Sequence, residues 1–277
     1  MLFEELRIAL ILACAIISAY TDIKKGLIYD KVTYPMILIG AIFTAADLFL
    51  GEDPTILLIP ACVFAFTYLL YYNGKLGGGD VKFLLGLSLL LPIYKGQIFV
   101  LSVVLIASLA SAFVIPLISI IKVFMSKKKK KIRPDKESIK ALALGLFIAA
   151  YLYVLYFLLS AISLFAILVI SLPLFISLIY IAFRSQIQEE LFLKWVSLKN
   201  LEDDEVVAKE YLDKDTLEAI GSFKGVLSEK EKKLLEARGI KKVPVYRNLP
   251  PFAPFLLFGI LLSWLFPGFL GLLFPLQ

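Results

Sequence analysis

Residues 97–125, QIFVLSVVLIASLASAFVIPLISIIKVFM, carry a single charge, Lys122, and run almost directly into KKKKKIRPDK at 127–136. A helix of that length covers about 43 Å, more than the roughly 30 Å of a bilayer's hydrocarbon core. The stretch is therefore a membrane span, and the lysines at its end mark the cytoplasmic side, where basic loops accumulate. Both neighbours are read from this anchor.

Upstream, residues 81–92 are apolar apart from Lys82. As a helix they would cover only about 18 Å. Lys24, Lys25 and Lys31 in the 22–31 loop, with Lys75 and Lys82 in the 73–82 loop, place both loops inside. If 81–92 did not cross, the 127–136 block would lie outside. The charge bias thus argues that it crosses, tilted or continuing past a kink at Pro92. Earlier apolar runs at 6–21, 32–50 and 55–72 are three more spans. Gly51-Glu52-Asp53-Pro54 turns the chain between the last two, and Tyr68, Tyr71 and Tyr72 form an interfacial aromatic belt.

Downstream, residues 139–160 and 161–183 read as two spans joined by a tight outer turn, and Arg184 returns the chain inside. Residues 184–248 are charged, with patches of helical spacing and a candidate strand at Val243-Pro244-Val245-Tyr246. Residues 251–275, rich in Pro and Phe, form a final span. The expected fold is an all-α polytopic membrane protein of about eight transmembrane helices, with a small cytoplasmic α or α+β domain before the last and both termini outside. It divides into a catalytic bundle at 1–125, a basic loop at 126–138, a transmembrane hairpin at 139–183, the cytoplasmic domain at 184–248 and the last helix at 249–277.

Composition agrees and narrows the chemistry. The chain is 60% hydrophobic with mean hydropathy +0.87, well above the apolar share of soluble domains. It has no histidine, which removes histidine nucleophile pairs, histidine metal ligands and a histidine base. Cys14 and Cys62 sit singly inside apolar runs, too few for a structural zinc site and expected to pack as small hydrophobes. No metal or cofactor is expected. The net charge of +6 lies in loops beside spans, so it points to membrane placement and not to nucleic acid. Lys127 to Lys131 would fix topology and meet anionic lipid. Glu4 and Glu5 precede the first run where a cleaved signal would carry basic residues, and Ile11-Leu12-Ala13-Cys14 is read as part of a plain first span, not a lipoprotein site.

Two carboxylates stand out. Asp22 closes the first span and Asp80 opens the fourth, both at the cytoplasmic face. An ionisable group near hydrocarbon is costly and marks a functional site by default. Two carboxylates within roughly 4–6 Å do not both ionise readily, and the pair comes to share a proton. The ionised member can deprotonate water while the protonated one donates to a carbonyl oxygen, which suffices to hydrolyse a peptide bond. The glycines before Asp80 permit close approach of another chain and leave backbone groups open to an extended peptide. The plainer alternative for Asp80 is a helix cap after a flexible loop.

Gly77-Gly78-Gly79-Asp80-Val81-Lys82 resembles the GxGD signature of membrane aspartyl proteases. Asp22-Ile23-Lys24-Lys25-Gly26-Leu27-Ile28 resembles the first-aspartate motif of the type IV prepilin peptidases and archaeal preflagellin peptidases, although Tyr29 stands where that family has proline. Leu249-Pro250-Pro251-Phe252-Ala253-Pro254-Phe255 is similar to the entry to the family's last helix. The resemblance covers the first hundred residues well and the last thirty fairly. It implies removal of short basic leaders from pilin-like or flagellin-like precursors on the cytoplasmic side, with Asp22 and Asp80 as the dyad and Gly77 and Gly79 as backbone supports. Many bacterial members also methylate the new terminus and hold zinc on four cysteines. This chain lacks those cysteines and looks more like the archaeal enzymes, so methyl transfer is not expected.

Other residues carry plainer readings. Asp30 superficially fits a presenilin-type Tyr-Asp pair, but capping or pairing with lysine is favoured. Lys82 could tune the dyad or simply snorkel to the interface. Asp47 is expected at the outer interface, and Glu202 to Glu205 on a solvated face. The competing functions are a presenilin-like intramembrane protease and an ion-coupled transporter using the same aspartates. The transporter is weakened by the lack of an internal repeat.

Overall fold

The computed structural model describes residues 3–73, 76–125, 136–157, 164–198, 207–208, 211–212, 229–237, 239–240, 242–247 and 250–269. Lys127 to Lys131 and Glu202 to Glu205 lie outside the described residues.

The first helix, α1 (Glu4–Lys25), has Glu4 and Glu5 in its first turn and Lys24 and Lys25 in its last, the charge order that suits the helix dipole. It ends at Gly26, whose φ of 68° is left-handed and whose N–H reaches back to the Asp22 carbonyl at 2.7 Å. α2 (Asp30–Phe49) follows. Asp53 then caps a 3₁₀ turn (Pro54–Leu57) through the Thr55 N–H at 2.8 Å, and α3 (Leu58–Tyr72) continues from it. α4 (Gly78–Leu90) begins just after its cap Gly77, three residues earlier than the apolar pattern suggested, so Gly78, Gly79 and Asp80 are its first turn and not a loop. Nor does α4 continue past Pro92. The chain leaves at Leu91 into a hairpin of β1 (Ile93–Tyr94) and β2 (Gln97–Ile98). Lys95 and Gly96 form its two-residue turn, both at positive φ as such a turn requires.

α5 (Phe99–Met125) is the long apolar helix read from sequence, followed by α6 (Lys136–Phe157) and α7 (Leu164–Ala182). A short α8 (Arg184–Ile187) runs into a π-helical turn (Gln188–Phe192). β3 (Leu193–Ser197) then pairs antiparallel with β4 (Lys242–Tyr246), the strand anticipated near Val243, with Trp195 opposite Pro244. α9 (Glu229–Ala237) packs Leu235 against Val196, Val207, Val243 and Val245. Among the described residues this is a small α+β unit. α10 (Ala253–Leu265) closes the described chain.

Among the described residues, five helices are long and apolar enough to cross a membrane: Glu4–Lys25, Asp30–Phe49, Pro54–Tyr72, Phe99–Met125 and Ser138–Phe157. Ile167–Ala182 and Arg184–Phe192, bent by 75° at their junction, make a sixth if they count as one span. The chain is a multi-pass, mostly helical membrane protein. The expected eight is not reached on this criterion, because α4 and α10 have 13 residues each, about 20 Å of helix.

The core lies where α4 packs between α2 and α3 while α10 packs between α1 and α5. Ile11, Met36, Phe83, Leu87, Val103, Leu256 and Ile260 meet there. Two glycines set the spacing. A Cβ on Gly40 would lie 2.8 Å from the Leu89 Cβ, and one on Gly259 would lie 2.5 Å from the Val103 carbonyl oxygen. Such close backbone approach is how membrane helices gain packing without a hydrophobic drive between them. Large apolar side chains such as Phe49, Phe124, Leu142 and Phe147 face outward, as lipid allows. Cys14 packs against the core, but Cys62 is exposed, contrary to its expected burial.

Asp47, near the end of α2, is covered by the bundle. It is 1% exposed and accepts a 2.7 Å hydrogen bond from Arg7, itself fully buried. The same guanidinium donates to the Leu90 carbonyl at 3.1 Å and lies 4.6 Å from the Phe43 ring centroid. Thr44 donates to the Leu89 carbonyl at 2.7 Å. The last carbonyls of α4, covered by the packed helices, are thus met by Arg7 and Thr44. Nothing in the local sequence pairs Arg7 with Asp47; antiparallel packing does.

Candidate active site

Asp22 and Asp80 are brought to the same end of the bundle by the antiparallel run of α1 and α4. Asp22 lies in the last turn of α1 and Asp80 in the first turn of α4, both half-buried. They are close enough for the charge of Asp22 to act on the Asp80 carboxyl. The same carboxyl lies close against Gly77, the cap residue three positions before it. Asp80 thus stands at the position where a capping box has Glu or Gln. The capping and catalytic readings of Asp80 are therefore compatible, since contact with Gly77 fixes the side chain's direction.

The glycines act by proximity. A Cβ on Gly79 would fall 2.8 Å from the Ile28 Cβ and 3.1 Å from the Ile28 carbonyl oxygen. The start of α4 therefore presses on the segment just after α1, which holds the two aspartate-bearing turns in register. A Cβ on Gly77 would lie 3.0 Å from Asp80 Oδ2. Gly78 faces Tyr71, at 3.5 Å for an added Cβ.

Lys82 is engaged away from the dyad. Its ammonium donates to Asp30 Oδ1 at 2.5 Å and lies 4.7 Å from the Tyr34 ring centroid. Asp30 thus pairs with a lysine, though with one from α4 and not its neighbour Lys31.

One contact was not anticipated. The backbone N–H of Ala253, the first residue of α10, donates to Asp22 Oδ2 at 2.8 Å. A helix start offers unpaired N–H groups and a positive dipole end, so a carboxylate is well placed there. Pro254, in the first turn, was the available signal for a helix start, but only folding brings it beside a residue 231 positions away.

Residues 9–116, which contain both aspartates and the glycine run, match the type IV leader peptidase family. The matched region is the one whose motifs carried the resemblance. The chain is 32% identical over 96 residues to a prepilin peptidase, EppA, of the archaeon Methanothermobacter thermautotrophicus. That alignment takes in 33% of this chain, which spans about a quarter of the length of that relative, 25%. No solved structure matches the chain.

Proposed function

We propose that this protein is a membrane aspartyl endopeptidase that removes short basic leaders from pilin-like or archaeal flagellin-like precursors at the cytoplasmic membrane face. One observation carries the reading: within a region that matches the leader peptidase family, the helix ends bearing Asp22 and Asp80 stand at one end of the bundle, with Gly79 pressed on Ile28 between them. In the mechanism, one carboxylate takes a proton from a water whose oxygen attacks the scissile carbonyl. The other carboxyl gives its proton to the carbonyl oxygen, forming a neutral tetrahedral diol. The proton then passes from the first carboxyl to the leaving nitrogen as the C–N bond breaks, and the second recovers its own from the collapsing diol. Each peptide bond consumes one water. Gly77 and Gly79 keep the turn around Asp80 narrow enough for an extended peptide, and methyl transfer forms no part of the activity.

The proposal includes the eight-span topology, with α4 and α10 crossing as short helices, the basic 126–138 loop inside against anionic lipid, and 184–248 as a cytoplasmic domain. Positive-inside bias supports it. The test is incubation of purified protein with a pilin-like precursor bearing a basic leader, beside Asp22→Asn and Asp80→Asn variants. Wild type should release the leader and neither variant should. Undiminished cleavage by either variant removes that residue from the dyad, and cleavage deep within the substrate's apolar helix would favour a presenilin-like protease.

A further inference from the structure

We infer that Arg7 and Asp47 are positioning residues for the aspartate pair, acting from the opposite end of the helices that carry it. The inference rests on the proposed peptidase reading for its kinetic arm only.

α1 carries Asp22 at one end and Arg7 at the other, and α4 carries Asp80 at one end and Leu90 at the other. α1 and α4 touch only briefly along their lengths, since α1 packs chiefly on α10, and α4 on α2 and α3. Their relative register therefore depends on what ties them at the ends. At the dyad end, Gly79 abuts Ile28. At the far end the tie is one guanidinium, which donates to Leu90 of α4 at 3.1 Å, to the Phe43 carbonyl of α2 at 3.4 Å and to Asp47 of α2 at 2.7 Å.

A fully buried arginine at this depth has a narrow choice of partners, because moving away from them would leave a bare charge in an apolar medium. The planar fork also fixes direction, which an ammonium would not. Sliding α4 along α1 by a fraction of a turn would break the Leu90 bond and change the separation of Asp22 and Asp80 at the other end. Misplacement of reacting groups by 1 Å can cost about a hundredfold in rate.

The test replaces the clamp with apolar side chains of similar volume, Arg7→Met with Asp47→Leu, since exchanging a whole buried pair often leaves folding intact. Two readouts separate positioning from structure. One is kcat and KM for leader release. The other needs no substrate: the pH profile of Asp22 and Asp80 modification by dicyclohexylcarbodiimide, followed by mass spectrometry. We expect a folded protein whose kcat falls about tenfold or more with KM within about twofold, and whose modification midpoint moves measurably. Wild-type kcat, or a lowered kcat with an unmoved midpoint, overturns the inference. Should the double variant not fold, Arg7→Lys decides. It retains the charge opposite Asp47 but lacks the fork, so an intermediate change in both readouts sustains the inference and wild-type values in either overturn it. If wild-type protein releases no leader, the peptidase reading fails, and the carbodiimide profile alone decides whether the clamp sets the aspartate geometry.

Discussion

At one end of the α1–α4 pair, Asp22 and Asp80 bring two like charges together, half-buried, Asp22 accepting the Ala253 N–H and Asp80 lying against Gly77. At the other end, Arg7 and Asp47 bring opposite charges together with 0% and 1% of their side chains exposed. On the proposed reading the first arrangement is poor for stability and good for chemistry, because a shared proton can be delivered and recovered. The second suits structure, because each group answers the other's charge and nothing remains to react. One pair of helices thus separates reactivity from positioning by about 20 Å of backbone.

Neutralising one charge at each end should have opposite consequences. Asp80→Asn removes like-charge repulsion and the proton shuttle together, so leader release should fall by about a thousandfold or more while thermal unfolding in detergent stays level or rises. A variant that cleaves normally breaks the comparison outright. Asp47→Leu, with Arg7 kept, leaves an uncompensated buried cation and should cost about 3–5 kcal/mol of stability, read as a lowered unfolding midpoint. If its unfolding matches wild type, the far end is not the structural member of the contrast.

Smaller changes sharpen it. Gly79→Ala puts a methyl 2.8 Å from the Ile28 Cβ, so the two turns must part. Leader release should drop by about tenfold to a hundredfold, and adding Ile28→Gly should restore most of it. A drop that Ile28→Gly leaves untouched would mean the glycine meets substrate instead. The least effect belongs to Asp53, in the loop before α3, whose carboxyl the Thr55 N–H holds below its ordinary value of 3.8. With the folded value depressed, its contribution is complete above that pH and is lost as pH falls through the lower, folded value. Asp53→Asn should therefore flatten a slight acid-side loss of stability, measured between about pH 5 and pH 2, by lowering the neutral unfolding midpoint slightly and leaving the acid one as in wild type.

Much of the site was legible because it is written locally. Asp22 with its trailing lysines and Asp80 with its leading glycines each stand where an apolar run meets a polar loop, and a matched topology suffices to bring them to one face. The strand at Val243 was legible for the same reason. Arg7 and Asp47 were not, since a charge near a span's end looks interfacial until a partner from another helix covers it. The start of α4 was also misread. Glycines carry no hydropathy signal, and it is capping at Gly77 that draws them into the helix.

The sequence by itself determined the membrane character, the absence of histidine chemistry and which two carboxylates stand out as candidates, because these follow from residue type and neighbours along the chain. Only the tertiary structure decided that Ala253 seats Asp22, that Lys82 serves Asp30, and that Arg7 closes the far end of α4. Each of those contacts joins residues tens to hundreds of positions apart, and distance along a chain carries no information about distance in space until packing fixes it.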